Sequence, residues 1–288
     1  MLNIQKTVIE TFVRELQRAY SQTYSILEPQ YGNMIEWAGY LALENIANSN
    51  ALYHNVDHTI MVTLVGQSIL KGKHLADGGV TPKDWVHYMM ALLCHDIGYV
   101  KGICRADHGN IIATGVGDEL IELPHGKSDA VLQPYHVDRA KLFIKERFGG
   151  KMLLKLDVEA ISAYIEMTRF PIPEDDFYKQ TDGFAALARA ADFVGQLGDP
   201  SYPRKIPALF YEFEETGMNE KFGYETPDDL RESYTKFYWG VVRPHIQDAL
   251  RYLAITQEGK QWIANLHSHV FAVEHDENFL TQPKSSVA

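Results

Sequence analysis

Apolar residues recur at helical spacing along almost the whole chain, and this periodicity constrains the fold more than any other feature. The first stripe consists of Ile4, Val8, Ile9, Phe12, Leu16 and Tyr20. Alternating Val-, Ile- and Thr-rich runs bounded by tight hairpin turns are missing, so no sheet is predicted. No repeat or long flexible linker divides the 288 residues. We therefore predict a single all-α domain over residues 1–288.

The periodic segments and the turn residues between them give the expected helix boundaries. Turn chemistry occurs in YGN (31–33), DGG (77–79), FGG (148–150), FPIPEDD (170–176) and GDPSYP (198–203). The predicted helices span residues 3–28, 33–48, 57–75, 83–96, 109–121, 130–148, 155–168, 182–197, 204–219, 229–254 and 257–274.

Composition excludes several classes of function. A net charge of −11 and a pI near 5.5 argue against binding to a nucleic-acid polymer or an anionic membrane, although a small phosphorylated substrate remains compatible. Two cysteines, Cys94 and Cys104, are too few for a disulfide framework, which indicates a reducing cytosol. The amino terminus lacks the pattern of a signal peptide, and no apolar run reaches the length of a membrane helix. We expect a cytoplasmic protein.

Titratable residues are concentrated beside apolar segments, and they suggest a metal site. His54 and His58 are four residues apart, so a helix beginning here would place both imidazoles on one face. His95 and Asp96 end the apolar segment HYMMALLC, and Asp192 lies in the Ala-rich segment LARAADFVGQL. Such groups need a partner when buried, and a cation supplies one. Two imidazoles and two carboxylates suit Zn, Fe, Mn, Co or Ni, and water on such a cation becomes a nucleophile.

Each of these residues, taken alone, has an ordinary structural explanation. His54 and His58 could cap or line a helix, and Asp192 could cap a helix or pair with a cation. An isolated His-Asp dipeptide is weak evidence. The combination, in this order and always beside apolar helical sequence, favours the metal site. It makes residues 51–200 a metal-binding core between N-terminal helices at 1–50 and C-terminal helices at 201–280.

The order H…HD…D on an all-α chain resembles the HD superfamily of metal-dependent phosphohydrolases, and within it the class I cyclic-nucleotide phosphodiesterase catalytic domain. YHNVDH (53–58) is similar to that family's Y-H-N-x-x-H signature, and ALLCHDIGY (91–99) to its A-x-x-x-H-D segment. Weaker similarities follow in the segments LQPYHVDRAKLFI (132–144), ISAYIEMTRF (161–170), ARAADF (188–193) and SYTKFYWGVVRP (233–244).

The resemblance implies a role for each matching residue. It makes His58, His95, Asp96 and Asp192 the ligands of a tightly bound divalent metal. It makes His54 the general acid that protonates the departing ester oxygen, with a nearby carboxylate such as Asp57 keeping the imidazole charged. His136 would orient water or approach a second metal. Phe237 falls on the aromatic residue that stacks on a purine in that family.

Three departures from the family pattern bear on metal and substrate. Tyr99 and Gln133 replace a His and a Glu that serve the second metal, Mg or Mn, and both bind water less strongly. Tyr234 replaces the Gln that reads the purine edge, and a phenol cannot present a donor and an acceptor together as an amide does. Cyclic AMP or cyclic GMP is therefore not the substrate that we predict.

Two arginines and an acidic segment have competing interpretations. Arg169 and Arg189 lie near the motifs and could bind a substrate phosphate or neutralise the acidic ligands. The acidic run YEFEETGMNE (211–220) is most simply a solvated face. Cys94, within an apolar helix, should be an inert thiol.

The leading functional hypothesis is hydrolysis of a phosphomonoester or phosphodiester by metal-activated water, with His54 as general acid. A second hypothesis is a di-iron HD-type oxygenase, in which His125 and His136 supply extra ligands. A third is a non-catalytic sensing or interaction module that keeps the metal for stability. The substrate, the cellular metal and the oligomeric state do not follow from the sequence.

Overall fold

The computed structural model describes residues 3–150 and 156–280, with side chains as far as residue 275. Helices dominate it, which confirms the all-α prediction. The α-helices are α1 (Ile4–Tyr24), α2 (Pro29–Ile46), α3 (Val56–Asp77), α4 (Pro82–Cys94), α5 (His136–Phe148), α6 (Val158–Glu166), α7 (Gly183–Leu197), α8 (Tyr202–Thr216), α9 (Met218–Phe222), α10 (Pro227–Glu232), α11 (Tyr234–Phe237), α12 (Arg243–His245), α13 (Gln247–Leu253) and α14 (Gln257–Leu280). Short 3-10 turns lie at Ile97–Tyr99, Asp129–Leu132 and Asp176–Lys179, and a π turn at Tyr238–Val242.

A continuous hydrophobic core connects helices from both ends of the chain. It extends from Ile9 in α1 to Val270 in α14, and the apolar stripe of every long helix contributes to it. Among the described residues, no helix combines the length and the apolar run that crossing a membrane requires.

Helices α3 and α7 pack closely because small residues face each other at their contact. A Cβ atom on Gly195 of α7 would lie 2.6 Å from the Cα of Val62 in α3, so any larger residue would push the helices apart. Asp192 lies one turn before Gly195 in the same helix. This close approach therefore brings Asp192 towards the start of α3.

Helix α4 is almost completely buried, and its boundaries follow from its sequence. The side chain of Thr81 accepts a hydrogen bond from the backbone N–H of Asp84, and Asp84 binds back to the Thr81 N–H, which forms a capping box. Pro82 occupies the first turn, where its missing N–H costs nothing. The apolar run then carries His95 and Asp96 into the protein interior.

The helix predicted at 109–121 and the expected absence of a sheet are both wrong. Strands β1 (Ile111–Ala113) and β2 (Leu120–Glu122) form an antiparallel hairpin in which Ile112 pairs with Ile121. The connection contains Gly115 at a φ of 87°, a left-handed conformation that favours glycine and breaks a helix. The buried guanidinium of Arg139 holds the hairpin by donating to the Ala113 carbonyl at 2.6 Å.

Other predicted boundaries need smaller corrections. The YGN segment lies inside α2 and is not a turn. The helix predicted at 229–254 is divided into α10 to α13, with the π turn in the middle and Pro244 removing a backbone donor. Helix α1 ends at Tyr24, and α14 continues beyond residue 274. The predicted start of α6 at residue 155 lies outside the described residues.

Candidate metal centre

Two histidines lie at the start of α3. The side chain of Asn55 accepts hydrogen bonds from the backbone N–H groups of Asp57 and His58, at 3.0 and 3.3 Å, so the helix begins at Val56. His58 is therefore in the first turn, whereas His54 precedes the helix. The expectation that one helical face carries both imidazoles is wrong, but their ring centroids still lie 5.5 Å apart.

His95 and Asp96 directly follow Cys94, the last residue of α4. Both are buried, with 1% and 4% of their surface exposed. The Nδ1 atom of His95 donates to the Leu92 carbonyl at 2.7 Å, which leaves Nε2 free to face the other polar groups. The end of α4 thus presents one imidazole nitrogen and one carboxylate in the interior.

Asp192 of α7 completes a cluster of four polar side chains. Its Oδ1 atom lies 3.4 Å from His58 Nε2 and 3.7 Å from His95 Nε2. The Oδ2 atom of Asp96 lies 3.3 and 3.1 Å from the same two nitrogen atoms. Ligand atoms about 2.1 Å from a shared metal are separated by about 3.0–3.4 Å in octahedral or tetrahedral coordination, which is close to these spacings.

Two of the donor atoms contact only other members of the cluster and make no regular hydrogen bond. His95 Nε2 and Asp96 Oδ2 are fully buried and make no hydrogen bond of acceptable geometry within the described part of the chain. Burying a carboxylate is costly unless an opposite charge compensates it, and a cation would do so for Asp96 together with the imidazoles. His58, His95 and Asp192 form a group that could hold a metal ion, and so do His54, His58 and Asp96.

The two carboxylates of the cluster shift the pKa values of its imidazoles. Burial opposes charge on His58, but contacts with Asp192 and Asp96 outweigh burial and raise the pKa of His58 to about 10. Burial also opposes charge on His95, yet the neighbouring Asp96 raises the pKa of His95. Burial alone would raise the pKa of Asp96, but the neighbouring His95 and His58 outweigh burial and hold this pKa well below its ordinary value. A metal ion binding here would have to displace protons from these imidazoles.

His54 pairs with a buried glutamate that the sequence analysis missed. Its Nδ1 atom lies 2.5 Å from Glu212 Oε2, and Glu212 Oε1 accepts from the backbone N–H groups of Tyr53 and His54 at 2.6 and 3.2 Å. Burial raises the pKa of the Glu212 carboxyl, but the charge of His54 and these hydrogen bonds outweigh it and lower that pKa. Glu212 and His54 thus form a close pair beside the four-residue cluster.

Two predictions about carboxylates are therefore wrong. Asp57, expected to support His54, points to solvent with 59% of its side chain exposed and pairs with Lys205 at 2.7 Å. The acidic run 211–220 is not wholly a solvated face, because Glu212 is only 3% exposed. A signal was present in the sequence: Glu212 lies three residues after Leu209 and six after Ile206, on the apolar face of α8.

Tyr99 lies between two imidazoles at the edge of the cluster. Its ring stacks on His54 and on His136, with centroids 4.6 Å apart in both pairs. His136 Nδ1 lies 2.5 Å from the Gln133 carbonyl, and His136 Nε2 lies 3.9 Å from Asp96 Oδ1. Burial lowers the pKa of His136 to about 4, so this imidazole is neutral near pH 7.

Two predicted site residues, Gln133 and Arg169, make their hydrogen bonds outside the cluster. The Gln133 amide donates to the Phe170 carbonyl at 3.2 Å. Arg169 pairs with Glu166 and Asp138, so these carboxylates occupy its guanidinium.

Arg189 and His125 also lie apart from the cluster. Arg189 donates to the carbonyls of Tyr178 and Gln180, both at 2.6 Å, which explains its burial without a substrate. His125, a possible extra ligand for two irons, is exposed beside Asn110 in the hairpin region. Cys94 is buried as predicted, and burial raises the pKa of its thiol to about 12, which makes it unreactive.

The cluster opens into a cavity of about 1000 Å³. His54, His58, Asp96 and Asp192 line one part of it, and Tyr234 and Phe237 also line it. The Tyr234 hydroxyl donates to the Leu197 carbonyl at 3.0 Å and is buried. The site therefore combines a buried polar cluster with space for a sizeable ligand.

The fold and the site together define a class: an all-α protein with a buried His–Asp cluster that can hold a metal ion at the wall of a large cavity. The family model described as Npun_R2479-like matches residues 2–276, and the chain belongs to this family. The sequence matches no protein of curated function.

Proposed function

We propose that the protein is an HD-type metal-dependent phosphohydrolase that cleaves a phosphomonoester or phosphodiester. The observation that carries the proposal is the convergence of His58, His95, Asp96 and Asp192 beside the His54–Glu212 pair, at the wall of one cavity. One substrate in this cavity would contact both a metal held by the cluster and His54.

The donor set suits a divalent transition metal, with Zn, Fe, Mn, Co and Ni as candidates. When bound, such a cation supplies Lewis-acid polarisation of the phosphoryl group and an activated water as nucleophile. His58, His95, Asp96 and Asp192 would hold it.

His54 would act as the general acid. Because its Nδ1 atom faces Glu212, its Nε2 atom is the one available to a leaving-group oxygen in the cavity. The Glu212 carboxylate fixes the orientation of the ring and stabilises the charged imidazolium that must give up the proton. Stacking on the Tyr99 ring limits the tilt of the His54 imidazole.

A di-iron oxygenase is the second candidate, and one observation favours it. The two oxygens of Asp96 face different nitrogen donors: Oδ2 faces His58 and His95, and Oδ1 lies 3.9 Å from His136 Nε2. In such an enzyme His58, His95, Asp96 and His136 would be among the residues that hold the irons, which would supply activation of dioxygen. His54, His58 and Asp96 also form a group of suitable spacing.

Metal analysis combined with a substituted acid tests the proposal. We expect one transition metal per chain and a His54→Gln variant that keeps it but hydrolyses an unactivated phosphoester about 10²–10⁴-fold more slowly. His125→Gln, at an exposed histidine, is the matched control and should keep full activity. Full activity in His54→Gln would refute the acid role. Two irons per chain with an oxygen-dependent colour, and no hydrolysis, would support the oxygenase instead.

A further inference from the structure

The cavity beside the cluster is much larger than a phosphate group requires. Its volume of about 1000 Å³ is at the upper end of the range for pockets that hold drug-sized ligands, about 300–1,000 Å³. The polar cluster occupies one part of the wall, so most of the cavity must contact the rest of a substrate.

Aromatic rings form a continuous surface along this cavity. Phe193 is next to the candidate ligand Asp192, and its ring centroid lies 6.3 Å from that of Phe237. The ring centroid of Phe237 in turn lies 5.8 Å from that of Phe170. Phe170 lies 6.4 Å from Phe222, and all four rings line the cavity. The surface therefore runs from the cluster to Phe222, which is 37% exposed.

Many polar side chains that line the cavity already donate a hydrogen bond to another group of the protein. These donors and acceptors are Gln133 Nε2 to Phe170 O, Gln196 Nε2 to Tyr202 OH, Thr168 Oγ1 to Ile165 O, Ser233 Oγ to Leu230 O, Tyr224 OH to Ser233 Oγ, and Tyr234 OH to Leu197 O. A nucleobase needs unoccupied donors and acceptors that match its edge, because its own polar atoms would otherwise be buried without partners.

The remaining polar groups are few. Gln133 and Gln196 each keep a second amide N–H and a carbonyl oxygen for which the described residues show no hydrogen bond. Glu174, Lys179 and Lys236 line the cavity but are exposed, so they lie where it opens to solvent. His245 Nδ1 is buried without a hydrogen-bond partner among the described residues, and it offers a single polar contact. The interior thus presents mainly hydrocarbon to a ligand.

We propose that this cavity holds a hydrocarbon group of the substrate. The inference rests on the phosphohydrolase function proposed above and makes the substrate class a phosphoester of an apolar alcohol, not a nucleotide. The phosphoryl group would lie at the cluster and the alcohol carbon skeleton along Phe193, Phe237, Phe170 and Phe222.

Binding of unphosphorylated alcohols tests the cavity without requiring metal or hydrolysis. The full chain, with and without metal, is titrated calorimetrically with 1-butanol, 1-hexanol, 1-octanol and 1-decanol, and with adenosine. We expect affinity to rise about threefold to fourfold per methylene, since each buried CH₂ contributes a constant increment. Affinity that does not depend on chain length, or tighter binding of adenosine, would overturn the proposal.

A ten-carbon aromatic alcohol distinguishes two shapes of hydrocarbon. Tighter binding of 2-naphthol than of 1-decanol would assign an aryl group, and the reverse an alkyl chain, and both results support the proposal. Phe237→Asn should weaken 1-octanol binding about tenfold, because it adds an amide to the wall, whereas Phe237→Leu should weaken it less than threefold. Phe271→Asn, at an exposed phenylalanine of α14 outside the cavity, is the control and should bind normally. Equal binding by the Asn and Leu variants at 237 would contradict the proposed surface.

Hydrolysis by the metal-loaded protein separates this inference from the proposed function. We expect faster cleavage of n-octyl phosphate than of n-butyl phosphate or adenosine 5′-monophosphate. Preferential cleavage of the nucleotide would keep the phosphohydrolase and overturn the apolar substrate. Cleavage of none of the three esters, with chain-length-dependent alcohol binding intact, would refute phosphomonoester hydrolysis and support the apolar cavity.

Discussion

Glu212 binds the Nδ1 side of His54 and two backbone N–H groups, so it determines how this imidazole faces the cavity. Sequence reasoning identified His54 but placed its partner at Asp57. Asp57 is adjacent to the motif in sequence, whereas Glu212 is separated from His54 by 158 residues. A single sequence does not show which distant carboxylate folds against a histidine, although a charge on the apolar face of α8 was a usable signal.

Substituting Glu212 tests this pairing. We expect Glu212→Gln to keep the metal and lower the rate of phosphoester hydrolysis about 10²-fold, because an amide neither orients nor charges the imidazole as a carboxylate does. Glu220→Gln, at an exposed position in α9, is the control and should leave the rate unchanged. An unchanged rate in Glu212→Gln would show that the pair has no part in turnover.

Metal affinity should depend on pH in a defined direction. In the metal-free protein, His58, with a pKa raised to about 10, holds a proton near pH 7, and the raised pKa of His95 favours its protonated form. A cation must displace these protons, so apparent affinity should rise with pH from 6 to 8, by up to about tenfold per pH unit for each proton released. Calorimetric titration with Zn²⁺ in buffers of different ionisation enthalpy measures the number of protons released on binding. Zero proton release would contradict the assigned protonation.

At the scale of elements, most helices were predictable from their apolar periodicity and caps, whereas the hairpin was not. Ile111 to Glu122 contains enough apolar residues to imitate a helical stripe. What fixes the hairpin is distant: Arg139 of α5 donates to the carbonyls of Ala113, Gly98 and Val100. Gly115 was a local signal against a helix here, but tertiary contacts of this kind have no local signature.

The contact of α3 with α7 places Asp192 beside His58, and Gly195 makes the contact possible. Gly195→Ala would put a Cβ atom 2.6 Å from Val62 Cα, so the helices must separate. We expect a loss of about 1–3 kcal/mol in the free energy of unfolding, measured with urea, and weaker metal binding. Gly240→Ala is the control, since its Cβ meets nothing within 4 Å. Equal stability of both variants would show that the contact can relax.

At the scale of the whole molecule, the candidate ligands come from three separate helical segments. His58 lies in the first turn of α3, His95 and Asp96 follow α4, and Asp192 lies in α7. The sequence predicted these four residues from their motifs. Their mutual distances depend on how α3, α4 and α7 pack in the shared core, which periodicity alone does not define.

The metal site is best tested by calorimetric titration of chelator-treated protein with Zn²⁺ at pH 7.5. Asp192→Asn is measured alongside, with Asp182→Asn, at the exposed residue that precedes α7, as the control. We expect one tightly bound ion per chain, unchanged in Asp182→Asn and bound at least about 100-fold more weakly in Asp192→Asn, which loses a charged donor. No binding by the folded wild-type chain, or equal affinity in Asp192→Asn, would contradict this expectation.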